Sequence, residues 1–275
     1  MVRYVKISPV DKTIGWIASV SIGLVILVSD FLFLRGTPLF DDYVIFAIIE
    51  ICLIPAILYF LEYRWISGVD NNIPVLLRDL TEAQRAGLPL VRAIEESAKR
   101  EYGPLTDELR KTANQISWGI PFEQAILNFG ERLGTILAKR AARLMVEASR
   151  AGARVHDIFE VITNAIQEMR NLELERKTEM MPYIAIVYVA FFVFIFITII
   201  LSKIFFAPAA TYMFMSPQMV EESKVILFRM GMTEALFSGL IAGKIGEGSV
   251  AGGLKHSVIM MTVGYFAFIQ LVGVF

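Results

Sequence analysis

Apolar positions run in long unbroken blocks towards both ends of the chain and in short, punctuated stripes between them. A hydrocarbon core of about 30 Å takes about 20 helical residues. Five blocks meet that length, at 14–34, 43–61, 183–206, 225–243 and 257–275. The third is uncharged from Tyr183 to Ser202, and the fifth carries no charge at all. The fourth is the weakest, because it holds Arg229 and Glu234. The first block is longer than a signal-peptide core and no small-residue cleavage site follows it, so it reads as a retained anchor.

Between the second and third blocks the pattern changes to helical periodicity. Gly87 is followed by Pro89, Gly103 by Pro104 and Gly119 by Pro121, which is the order expected where one helix stops and the next starts. With Gly130 and Gly152 as further stops, the spacing predicts helices at 73–86, 89–101, 104–117, 121–129, 132–150 and 154–181. Val155, Ile158, Phe159, Ile162, Ile166 and Met169 form one apolar stripe, and Leu133, Ile136, Leu137, Leu144 and Ala148 another. Glu95/Lys99, Glu96/Arg100, Asp107/Lys111 and Glu173/Lys177 are spaced to pair one turn apart. Gly87-Leu-Pro-Leu-Val-Arg-Ala-Ile94 is echoed by Gly119-Ile-Pro-Phe-Glu-Gln-Ala-Ile126, a helical hairpin used twice, which is too few copies for a solenoid. The fold class expected is all-α: a polytopic helical membrane protein of five spans, with a cytoplasmic six-helix bundle at 68–181 between a two-span region (1–67) and a three-span region (182–275). Only Pro182 separates the last bundle helix from the third span, so that helix either transmits motion into the bilayer or serves as a plain stem.

Composition agrees. Of 275 residues, 56% are hydrophobic and 19% charged, unlike an ordinary soluble domain. A formal charge of −1 argues against a dedicated nucleic-acid binder. A lone cysteine, Cys52, and two distant histidines, His156 and His256, exclude a disulfide framework and a cysteine- or histidine-rich metal site. Of 26 Lys/Arg and 27 Asp/Glu, 17 and 18 lie between positions 62 and 179, which marks the centre as the water-facing part. With the N-terminus inside, Arg3, Lys6, Lys12, Arg64, Arg170, Arg176, Lys177, Lys244 and Lys255 fall at inner span ends, against Arg35, Lys203 and Lys224 outside. The positive-inside bias thus predicts a cytoplasmic N-terminus and centre and an external C-terminus, in a cell membrane.

Candidate chemistry is sparse. Gly243-Lys244-Ile245 lacks the spacing and the Ser/Thr of a phosphate loop, and the Gly-rich turn at 246–253 follows no strand. No cofactor, metal or catalytic residue is expected, so energy must come from another protein or an ion gradient. Asp30, Glu50 and Glu234 lie within spans, where a carboxyl is either a proton or ion site or a neutral group bonded between helices; Asp30 can also reach the outer interface. Gly231, Ala235, Gly239 and Gly243 recur every four residues, a ridge for close helix packing against a neighbouring span or a second subunit. Lys139, Arg143, Arg150 and Arg154 share one face near the 132–150 helix, which suits an acidic partner, anionic lipid or plain solvation. His156-Asp157 has the look of a sensor-kinase dyad without the nucleotide domain to serve it.

Two stretches carry a family likeness. The run from Leu76 to Ile162, with its Gly-x-Pro helix starts at Gly87 and Gly119 and its Glu147-Ala-Ser-Arg-Ala-Gly152 turn, resembles the F domain of type II secretion and type IV pilus platform proteins. The tail Gly239-Leu-Ile-Ala-Gly243-Lys-Ile-Gly-Glu-Gly-Ser-Val-Ala-Gly-Gly-Leu-Lys255-His256 is similar to the archaeal branch, the Tad-like platforms of archaella and archaeal pili. The resemblance implies a non-enzymatic membrane platform beneath a pilin-like filament, coupled to a hexameric secretion ATPase through the helical domain. It makes Gly87, Gly119, Glu147, Gly152, Gly243, Lys255 and His256 family markers. Many members carry the domain twice and this chain once, which implies either pairing with itself or a sibling, or half of a split protein. The competing expectation is an ion-coupled carrier or channel working through Glu50 and Glu234.

Overall fold

The computed structural model describes residues 6–35, 37, 39–150, 155–206, 208 and 216–272, apart from the side chains of Val155, His156 and Pro217. Those residues are predominantly helical, with no strand among them. The helices are α1 (Pro9–Phe33), α2 (Phe40–Arg85), α3 (Leu90–Ser97), α4 (Thr106–Ser117), α5 (Phe122–Leu133), α6 (Ile136–Arg150), α7 (Val155–Ile200), α8 (Pro217–Glu247) and α9 (Val250–Ala267). A short 3-10 turn, Gly103–Leu105, precedes α4, and π-helical runs, Leu201–Phe206 and Phe268–Val272, follow α7 and α9. Five stretches are long and apolar enough to cross a membrane: Pro9–Phe33, Phe40–Arg85, Asp157–Phe206, Gln218–Glu247 and Val250–Val272. The protein is an all-α, multi-pass membrane protein. Contacts divide it into two compact units, Met1–Lys6 with Leu61–Arg176, and Ile7–Phe60 with Lys177–Phe275.

The first unit is a bundle whose boundaries are written in local chemistry. Gly87 and Gly119 take positive φ (82° and 88°) with open space around the missing Cβ, so they are needed for conformation and not for room. Each closes the same Schellman motif: Leu88 N–H reaches the Ala83 carbonyl and Ile120 N–H the Gln115 carbonyl, both at 3.0 Å. Pro89 and Pro121 then stand as the N-cap residues of α3 and α5. The weak sequence repeat is therefore a repeated stop-and-restart device.

Three expectations change here. The segment 73–86 is the end of α2, a single 46-residue helix that begins in the second apolar block. Gly130 is not a stop: α5 runs on to Leu133 and ends at the left-handed Gly134 (φ 81°). A Cβ on Gly130 would lie 2.7 Å from the Ala142 Cβ, so its role is close approach of α5 to α6. Of the stripe expected over 133–148, Leu133, Leu137 and Ala148 are buried as expected and two positions are not. Ile136 and Leu144 are exposed, while Ala138, Ala141, Ala142 and Met145 are buried, because small residues form the α5–α6 seam.

Phe159, Ile162 and Ile166 of α7 pack with Leu76, Leu77 and Leu80 of α2, Ile94 of α3, Leu109 of α4 and Ile126 and Phe129 of α5. Four surface pairs form at one-turn spacing but in a different register: Glu95 takes Arg92, Glu96 takes Lys99, Asp107 takes Arg110 and Lys111 takes Glu108, while Arg100 reaches across to Asp79 of α2. Such exposed pairs contribute little each.

In the second unit α1 and α8 start alike. Ser8 and Ser216 accept from the N–H groups of Asp11 and Met219, and Pro9 and Pro217 occupy the first turn. Phe191, Phe228, Phe268, Met232, Met260 and Met261 fill the interior. Pro182 lies inside α7, which continues through it without a break.

Candidate functional site

The helix ridge of α8 is the most tightly built feature of the membrane unit. A Cβ on Gly239 would fall on the Ser257 backbone, and one on Gly243 on the Gly252–Gly253 backbone, so α8 and α9 cross with main chains in contact. Ser257 Oγ donates to the Leu236 carbonyl at 2.7 Å and fixes the register of that crossing. Ala235 is fully buried, and a Cβ on Gly231 would lie 2.6 Å from the Phe268 ring. The ridge is thus occupied within the chain, by α9 and the run after it.

The turn between α8 and α9 is held at several points. Gly248 ends α8 in the left-handed conformation (φ 71°). Lys244 donates to the Gly248 carbonyl at 3.2 Å, Lys255 pairs with Glu247, and the Tyr188 hydroxyl and His256 Nδ1 are 2.8 Å apart. The 239–256 segment is accordingly a packing and turn element. Lys255 and His256 are engaged in it.

A second small-residue ridge escaped the sequence reading. Ser19 Oγ lies 3.1 Å from the Glu50 carbonyl and 3.0 Å from that of Ile51. Cβ atoms on Gly15 and Gly23 would meet Leu58 and Ile51. Gly15, Ser19 and Gly23 are spaced four apart, the same signal that marks α8, and it lay open to the same search.

The intramembrane acids are not gathered at one point by any contact among the described residues. Glu50 and Glu234 are half-buried, and each leaves Oε2 without a partner there. Asp30 is 1% exposed, so its side chain turns inward. Arg229, the charge that weakened the fourth block, donates to Asp41 through two nitrogens, at 2.9 and 3.0 Å.

In the bundle, the basic group on α6 is divided by pairing. Lys139 takes Glu131 at 2.5 Å and Arg150 takes Glu147, the marker glutamate, at 3.3 Å. Arg143 is exposed on the same helix. Arg154 and Gly152 lie outside the described residues, as does the His156 side chain. Trp118 stands 81% exposed beside Gly119.

Buried polar links hold the bundle together. Arg170 is 3% exposed and donates to Asn71 Oδ1 at 3.0 and 2.6 Å and to Glu173 at 2.7 Å. Thr81 and Thr163 bond at 2.9 Å. The Tyr102 hydroxyl donates to Asp79 at 2.6 Å; burial, then that carboxylate, pushes its pKa up to about 12. Burial pulls the Glu108 carboxyl upward, but hydrogen bonds from Lys111 and Arg132 outweigh it and hold it below the usual carboxylate range. No group of three or more His, Cys, Asp or Glu able to hold a metal occurs among the described residues.

The segment with the two Schellman–proline restarts runs into an apolar span along α7. The model of the type II secretion system protein F family matches residues 76–202, from the last turns of α2 through the bundle and α7. The chain carries a type II secretion system F domain. The match thus extends beyond the bundle unit into the third candidate span. Over most of its length the chain is similar to an uncharacterised protein, MJ1286, of Methanocaldococcus jannaschii, with 29% identity over 236 residues. The match covers 84% of this chain and 39% of that relative's length. No solved structure matches.

Proposed function

We propose that this protein is a non-enzymatic platform of the cell membrane that couples a cytoplasmic hexameric secretion ATPase to the assembly of pilin-like subunits into a filament. The observation that carries the reading is the F domain at 76–202 in a chain with five candidate membrane spans. The N-terminus and bundle face the cytoplasm and the C-terminus the outside, supported by the distribution of basic residues at span ends. The platform works as an oligomer with itself or a sibling chain, and the ATPase supplies the energy. The tail at 239–256 supports the archaeal branch of these platforms. Arg143, with Lys139 and Arg150 in exchangeable surface pairs, offers the ATPase a basic face.

The test is affinity purification of the full chain from its own membranes in mild detergent, followed by mass spectrometry. Recovery of a hexameric ATPase and pilin-like subunits is expected. Their absence, together with intact surface filaments in a deletion strain, would overturn the reading. Labelling by a membrane-impermeant reagent at a cysteine placed in the bundle would overturn the orientation.

A further inference from the structure

Three residues of α1 are buried: Ser19, Gly23 and Asp30. The first two are closed against α2, Ser19 by hydrogen bonds to its carbonyls and Gly23 by Ile51 and Ala47. Asp30 follows Gly23 by about two helical turns and so lies on the same stripe. The helices are antiparallel there, since Gly15 meets Leu58 and Ile54 while Gly23 meets Ile51 and Ala47. That register carries Asp30 to the first turn of α2, where Asp41 and Asp42 stand and Asp41 is the charge it faces.

Asp30 is 1% exposed, and neither carboxyl oxygen has a hydrogen-bond partner among the described residues. The charged and titratable groups around it are otherwise engaged. Asp41 is taken by Arg229 of α8 through both oxygens. Asp42 faces the Tyr265 hydroxyl of α9. Arg35, beyond the end of α1, lies 4.7 Å over the Phe31 ring. No metal-holding group of side chains occurs here among the described residues. A carboxylate closed away from water with no cation bonded to it is strongly disfavoured.

We propose that this is a proton-binding site: the Asp30 carboxyl is closed between α1 and α2 as the neutral acid, and the proton is the ligand that lets these helix ends pack. Breaking the O–H bond hands the proton to water and leaves an uncompensated charge in a dry seam. The ends of α1 and α2 then part, and rebinding of the proton closes them. The inference does not depend on the platform reading.

Infrared spectroscopy of the full chain in lipid vesicles tests it, in light and heavy water at neutral pH. A protonated-carboxyl band is expected that shifts on deuteration and with isotope-labelled aspartate, but not with labelled glutamate. Asp30→Asn loses the band, while Asp41→Asn and Asp42→Asn keep it. The labelled wild-type chain with those two variants decides the matter even if Asp30→Asn does not fold. Absence of an aspartate band, its persistence in Asp30→Asn, or its disappearance when sodium replaces choline at constant ionic strength would each overturn the proposal, the last by assigning the site to a metal cation.

Discussion

Arg229 and Asp41 meet through a two-point ion pair, Nε to Oδ1 at 2.9 Å and Nη2 to Oδ2 at 3.0 Å, across 188 positions of sequence. The pair explains how an arginine is tolerated in the fourth span: its guanidinium is neutralised by the first turn of α2. Two parallel charge-assisted bonds also fix orientation, which a lysine could not reproduce. Replacing Arg229 by Gln, or Asp41 by Asn, should each lower stability by about 1–3 kcal/mol. The double variant should cost clearly less than the sum. Thermal unfolding of the four proteins in one detergent measures this; strict additivity would mean the pair contributes nothing.

Two kinds of glycine should respond differently to substitution. Gly119 has open space but positive φ, so Gly119→Ala should cost about 1–2 kcal/mol and Gly119→Asn less. Gly243 is helical but meets backbone, which cannot give way, so Gly243→Ala must separate α8 from α9. Gly243→Ala and Gly243→Asn should then be similarly severe, with no rescue by asparagine. Unfolding midpoints of the four variants distinguish conformational strain from collision.

Glu108 gives the bundle an acid-sensitive lock. Its oxygens accept from Arg132 at 2.7 Å and from Lys111 at 2.7 Å, and Arg132 also donates to Thr112 at 2.6 Å. Because its folded pKa lies below its unfolded value, the stabilisation is complete above the unfolded carboxylate pKa of about 4.3 and is lost as pH falls from there through the folded value. Glu108→Gln should therefore flatten the stability profile below about pH 4. Helicity followed against temperature at successive pH values provides the check, and an unchanged acid limb would remove Glu108 as its source.

On the proposed ATPase-facing surface, Arg143 and its neighbours should not be equal. Lys139 and Arg150 each have a carboxylate beside them, at 2.5 and 3.3 Å, which already offsets part of their charge. Arg143→Glu should weaken ATPase capture about tenfold, the effect of about 1.4 kcal/mol, while Lys139→Ala should leave it within about twofold. Equal losses at both positions would point to a diffuse field and not a local contact.

The residues show why some of this was legible in advance and some was not. Gly87-Leu-Pro89 and Gly119-Ile-Pro121 could be read because a left-handed glycine and a helix-starting proline act through backbone geometry of a few residues. Gly130 carries the same letter, but its role depends on Ala142 of another helix, and no local rule separates the two cases. The α6 face was only partly legible for a related reason: Leu137 and Ala148 are buried as expected, but Ile136 and Leu144 are exposed and much of the seam is alanine. Ion-pair spacing identified which helices are solvated but not which partner each side chain chooses.

What the chain determined by itself is whatever depends on neighbours in sequence: five apolar lengths, the charged centre between them, the helix stops and the all-α class. Tertiary structure alone decided which polar groups meet. Arg229 finds Asp41, Arg170 finds Asn71, and Asp30 turns into α2 with no partner among the described residues. The physical reason is range: backbone conformation and hydrophobic length are set within a few residues, while pairing and burial are properties of surfaces that do not exist until distant helices pack.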